Sequence, residues 1–286
     1  MTIDDQRLRN RRFPEIRQSY SRKDAILYAL GVGMGQDPLD ADQLRFVYEE
    51  NIQALPTMAV VLGHPGFWLR EPDTGIDWKR SLHGEQSLVL HRPLPAEGVV
   101  VGRTRIDEII DKGAGRGAVI YSSRELHGSD GSLYATVAQS SFCRADGGFG
   151  GRSGPARAPS PVPERTADCS ITLPTRPEKA LINRLSGDYN PLHVDPAVAA
   201  AANFQRPVLH GLATYGLAGH ALLKLLCGYD PARFQRMDVR FSSPVFPGET
   251  IRIDIWKEYA GRAAFRATVL ERGAVALDNG RFEHMP

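Results

Sequence analysis

The sequence predicts an α+β protein in which one structural unit is used twice. Three observations carry this. A Gly/Pro-rich seam lies near the middle, a strand–proline turn–strand pattern recurs on both sides of it, and a long apolar helix sits in the second half. The seam reads Gly147-Gly148-Phe149-Gly150-Gly151-Arg152-Ser153-Gly154-Pro155 and continues through Pro161 and Pro163. Glycine and proline at that density hold neither a helix nor a central strand, so the stretch is expected to link two domains. The expected divisions are 1–146, a linker over 147–163, and 164–286.

The repeated pattern begins at Leu88-Val89-Leu90 before the Pro93-Leu94-Pro95 turn, and again at Val239-Arg240-Phe241 before Pro244-Val245-Phe246-Pro247. Alternating apolar residues then predict strands over 99–110, 118–126 and 132–142 in the first half. The second half offers 251–259, 263–271 and 274–282. Short turns with glycine, such as Lys112-Gly113 and Ala260-Gly261, imply antiparallel hairpins. Ser21 and Asp24 form a capping box that opens a helix over 22–30. Asp195-Pro196 supplies an N-cap and an N1 proline for a helix running to Phe204. A third helix is expected over 212–227, stopping at Gly228. It is apolar on nearly every face and so belongs inside the protein.

Composition narrows the function. Lys plus Arg total 35 and Asp plus Glu 33, a net charge of +2, which argues against a nucleic-acid binder. No apolar run reaches the roughly 18 to 20 residues that span a bilayer. Cys143, Cys169 and Cys227 are scattered and form no metal or disulfide framework, as expected of thiols in a reducing compartment. Arg7, Arg9, Arg11 and Arg12 are interleaved with acids, no apolar segment follows them, and the chain ends His284-Met285-Pro286. Neither a secretory leader nor a peroxisomal address is expected, and the cytosol is the expected location.

The segment Ser186-Gly187-Asp188-Tyr189-Asn190-Pro191-Leu192-His193-Val194-Asp195 holds the densest chemistry. Asp188 and His193 can converge on one volume and act on a water as general acid and base. Two other readings stay open on the residues alone. Asp188 and Asn190 would equally serve as turn caps, and Asp188, His193 and Asp195 would make a sparse metal site. Downstream, Arg206-Pro207-Val208-Leu209-His210-Gly211 leads into the apolar helix. Gly211 would let a carbonyl oxygen approach the positive helix end, or would be an ordinary glycine cap.

Gly-Asp-x-Asn-Pro-x-His followed by His-Gly and a long apolar helix resembles the hydratase 2 motif of the MaoC-like hot-dog proteins. Tyr28-Ala29-Leu30-Gly31-Val32-Gly33, Leu82-His83-Gly84-Glu85-Gln86 and Asp111-Lys112-Gly113 extend the resemblance to the N-terminal half of the (3R)-specific 2-enoyl-CoA hydratases. It implies a double hot-dog fold: two antiparallel sheets, one per hot-dog unit, and a long central helix in the C-terminal half. It also implies reversible hydration of a trans-2-enoyl-CoA to a (3R)-3-hydroxyacyl-CoA, with no cofactor and no metal. Asp188 and His193 match the catalytic pair and Gly211 the donor to the thioester carbonyl. Asn190, His83, Gly84 and Phe241 match positions lining the ligand, and Lys112 would meet the CoA phosphates. The first half, without the Asp/His motif, would accommodate the acyl chain. The partners implied are an acyl-CoA thioester and a second copy of the chain, with no nucleic acid and no membrane. A carrier-protein dehydratase, a hot-dog thioesterase and a non-catalytic acyl-CoA binder are the competing readings.

Overall fold

The computed structural model describes residues 2–155, 157–158 and 160–286. The first half contains α1 (Asp5–Arg9), β1 (Ile16–Tyr20), α2 (Arg22–Gly31), α3 (Ala41–Val47), β2 (Ser81–Leu90), β3 (Gly98–Asp111), β4 (Ala118–Gly128) and β5 (Leu133–Cys143). The second contains β6 (Cys169–Pro174), α4 (Lys179–Asn183), α5 (Pro196–Ala201), α6 (Gly211–Cys227), β7 (Phe234–Phe241), β8 (Thr250–Tyr259), β9 (Arg262–Val269) and β10 (Ala274–His284). All six strands expected after the proline turns are present.

The duplication is visible in the strand order. The first half runs β1-β3-β4-β5-β2 and the second β6-β8-β9-β10-β7, so each strand has a counterpart five places later. β2 pairs antiparallel with β7, Leu88 opposite Met237. The two sheets of the expected double hot-dog are therefore halves of one ten-stranded sheet. Pairing the halves removes two strand edges that would otherwise expose unsatisfied N–H and C=O groups.

Helix α6 is the core of the second half. It is buried over most of its length and packs on β7 and β10. Glycines within it mark where the first half comes against its backbone. A Cβ at Gly216 would lie 2.4 Å from Val32, and one at Gly219 would lie 2.4 Å from Thr57. The Pro56–Val60 turn thus packs directly on α6, and also touches β2 and β5. Gly228 ends the helix in the left-handed conformation, φ +58°.

The capping box of α2 forms as expected, Ser21 and Asp24 exchanging hydrogen bonds. Helix α5 stops at Ala201 rather than reaching Phe204, because Asn203 turns the chain with φ +64°. The glycine-rich stretch after β5 is anchored. The Asp111 carboxylate accepts from the N–H groups of Gly113, Gly148 and Gly150 at 2.8, 2.7 and 2.9 Å. Among the described residues, no helix is long and apolar enough to cross a membrane.

Candidate active site

The loop before α5 is shaped by its own turn residues. Gly187 takes φ +116°, which a side chain would disfavour, and delivers Asp188 to the loop tip. The Asn190 N–H donates to Asp188 Oδ1 at 3.1 Å, fixing the carboxylate. Asn190 Oδ1 in turn accepts from the Leu192 N–H and caps the short turn Pro191–His193. The turn-capping reading of Asp188 and Asn190 is therefore true as far as it goes. It leaves Asp188 Oδ2 uncommitted, and that oxygen is 3.8 Å from His193 Nε2.

His193 is set from the other side. Its Nδ1 is 2.8 Å from the Val208 carbonyl, which requires the proton on Nδ1 and leaves a bare lone pair on Nε2. Burial lowers the His193 pKa from its ordinary value, against the upward pull of the Val208 carbonyl and of Asp188. The imidazole is thus a neutral base at pH 7. A separation of 3.8 Å leaves no direct hydrogen bond, but a water oxygen set to one side of the pair can hydrogen-bond to both.

Gly211 opens α6, where the first N–H groups have no carbonyl partner within the helix. The Phe241 ring leans on it: a Cβ at Gly211 would stand 3.1 Å from Phe241 Cε1. Phe241 also packs against His83, with ring centroids 4.7 Å apart. His83 comes from β2 and Phe241 from β7, so the site sits where the two halves of the sheet join. Gly84 marks an irregularity of β2 and meets Ser140 Oγ at 2.8 Å from its would-be Cβ. Lys112 stands apart. It follows β3, and β4 and β5 lie between β3 and β2, roughly 14 Å at about 4.8 Å per strand.

His210, passed over as a mere neighbour of Gly211 in the sequence, is central here. Its ring stacks on His193 with centroids 3.7 Å apart, and its Nε2 donates to the Asp188 carbonyl at 3.1 Å. Burial, with His193 alongside, pushes its pKa down to about 4. Asp188, His193 and His210 bring a ligand atom each within 4.8 Å of one another, the spacing of a metal site. Their geometry does not suit one. Imidazole lone pairs lie in the ring plane, and rings stacked at 27° aim them nearly parallel rather than at a common ion. Asp195, the third ligand in the sequence reading, instead caps α5 through the Ala197 and Val198 N–H groups. His64, whose ring senses Arg124, His83 and Asp188, is a further histidine that sequence reasoning did not single out.

A double hot-dog fold carrying an Asp/His pair beside a long helix points to the MaoC-like class, and comparison with known proteins agrees on that class. Residues 159–279 match the MaoC like domain and residues 18–145 the MFE-2 hydratase 2 N-terminal domain. The chain is 41% identical over 276 residues to 3-hydroxyacyl-thioester dehydratase Y of Mycobacterium tuberculosis, covering 93% of each. It is 37% identical to the peroxisomal enoyl-CoA hydratase 2 of Arabidopsis thaliana, covering 93% of this chain and 91% of that one. The crystal structure of a MaoC-like dehydratase from Phytophthora capsici superposes with a TM-score of 0.86 at 36% identity, over 98% of both chains. The chain belongs to the MaoC-like enoyl-CoA hydratase 2 family.

Proposed function

We propose that the protein adds water reversibly across the C2=C3 bond of a trans-2-enoyl-CoA, giving a (3R)-3-hydroxyacyl-CoA. One observation carries the reading: a neutral His193 Nε2 and the free oxygen of Asp188 face each other across 3.8 Å, close to the exposed N–H groups of Gly211 and α6. A water bridging the two gives a proton to His193 as its oxygen attacks C3. The electron pair of the double bond moves onto the thioester oxygen, where the Gly211 N–H and the helix dipole stabilise the enolate. The Asp188/His193 pair returns a proton to C2, so that one water has been added and no cofactor consumed. Asn190, His83, Gly84 and Phe241 line the reacting end of the thioester, Lys112 meets the CoA phosphates, and the first half receives the acyl chain. A cytosolic location and a dimer of chains belong to the same proposal, the former supported by three free cysteines.

The test is hydration of trans-2-enoyl-CoA, followed by loss of enoyl-thioester absorbance with chiral analysis of the product. Asp188→Asn and His193→Gln should each lower kcat by about 10²-fold or more. Tight CoA-ester binding by folded protein with no turnover would favour a binding protein, and release of free CoA would favour a thioesterase.

A further inference from the structure

The first half of the sheet presents an inner face of unexpected polarity. In the register of β3, β4 and β5, Arg124 stands between Thr104 and Val137, and two residues earlier Ser122 stands opposite Gln139. Apolar clusters flank this belt, Leu126 with Val137 on one side and Ile120 with Ile109 on the other. Arg124 is only 4% exposed. Its Nη2 donates to the Val60 carbonyl at 2.8 Å, tying down the turn over this face. That bond leaves most of the guanidinium unanswered. Nε is buried without a partner, as is Oγ1 of the adjacent Thr104, and among the described residues no carboxylate pairs with Arg124. A buried, unpaired cation beside an unpaired hydroxyl is a costly arrangement that an anionic ligand would relieve.

The belt lies on the same sheet as His83, a few residues along the strands. Ile120 is level with Ser141, and Ser141 with His83, so Arg124 lies four residues along β4 from the row that holds His83. That is about 13 Å at about 3.3 Å per residue, less the reach of the arginine side chain.

Resting on the hydratase reading above, we infer that the preferred substrate is a medium-length 2-enoyl thioester whose distal end carries a carboxylate, and that Arg124 selects it. An acyl chain ending in a methyl group would lay hydrocarbon over Thr104, Ser122 and Arg124 and leave their polar atoms unsatisfied. A distal carboxylate accepts from the free edge of the guanidinium and from Thr104 Oγ1. Arg124 is thus a specificity-determining residue, distant from the reacting atoms.

The experiment compares trans-2-enoyl-CoA esters of equal length that end in methyl, hydroxyl or carboxylate. The carboxylate ester should be favoured over the methyl ester at least tenfold in kcat/KM, mostly through KM. In Arg124→Met that ratio should fall toward one, with Arg124→Lys intermediate. A purely structural arginine would instead lower thermal stability and leave the ratio unchanged. Hydration of all three esters without preference for the carboxylate, or equal preference for the hydroxyl, overturns the inference and leaves the hydratase reading intact. Hydration of none overturns the hydratase reading. Calorimetric binding of saturated acyl-CoA esters, with and without the distal carboxylate, to the wild type and Arg124→Lys then decides the inference independently. Equal binding by the wild type would overturn it.

Discussion

His210 lies face to face with His193, ring centroids 3.7 Å apart, while its Nε2 holds the backbone carbonyl of Asp188. One buried ring thus fixes both members of the pair, packing the base and tethering the loop that carries the acid. His210→Phe retains the stack and loses the tether, a hydrogen bond worth roughly 1 kcal/mol. Steady-state kinetics should show kcat reduced about five- to tenfold, with KM little changed. A loss as deep as that of His193→Gln would mean that His210 handles protons itself.

The pH dependence follows from the environment of His193. Burial depresses its pKa, so the free-base form survives below the ordinary imidazole range near 6.5. On acidification from pH 7, kcat/KM should hold level through the ordinary imidazole range and fall with a single-proton slope only below it. A base that becomes protonated loses activity; an acid that must start protonated would gain it. The imidazole titration, followed by NMR, should move still lower in Asp188→Asn, since the carboxylate pulls that pKa upward.

Gly211 and Phe241 form a second coupled pair. An alanine at position 211 keeps the backbone N–H but places a methyl group 3.1 Å from Phe241 Cε1, tighter than packed carbons tolerate. The ring, which also packs against His83, must give by a few tenths of an ångström. Gly211→Ala should lower kcat by about tenfold, less than the 10²- to 10³-fold that follows outright loss of an oxyanion donor. Phe241→Leu in the same chain should recover part of it. Independent, additive effects in the double-mutant cycle would refute the coupling.

Much of this architecture was legible in the sequence because it rests on local rules. Alternating strands, the Ser21 and Asp195 caps and the Gly228 stop are set by residues within a turn of where they act. The pairing of β2 with β7 was not legible, since strand edges meet across 151 residues between Ser87 and Asp238, whose side chains share a hydrogen bond at 2.5 Å. His210 escaped notice because its partners lie 15 or more residues away in sequence. Arg124 left a trace: it is in phase with Ile120 and Leu126, so an arginine occupies the apolar face of a strand. Only the neighbouring strands show that no carboxylate among the described residues pairs with it.

Asp195 separates a cap from a ligand. Its Oδ1 accepts from the Ala197 N–H at 2.8 Å and from the Val198 N–H at 3.4 Å, so the carboxylate is turned to the first turn of α5 and away from His193. Loss of such a cap costs about 1 kcal/mol, and in a chain of this size lowers the melting temperature by roughly 2 °C. Asp195→Ala should therefore show a small drop in thermal stability, and kcat within about a factor of three of the wild type. A chelator should leave hydration unchanged, because the stacked rings of His193 and His210 aim their lone pairs side by side rather than at one ion. Were a metal bound by Asp188, His193 and His210, chelation would abolish activity while Asp195→Ala left it intact. Were Asp195 itself a ligand, both treatments would abolish it. The cap accounts for a third pattern, in which stability falls slightly and neither treatment touches the chemistry.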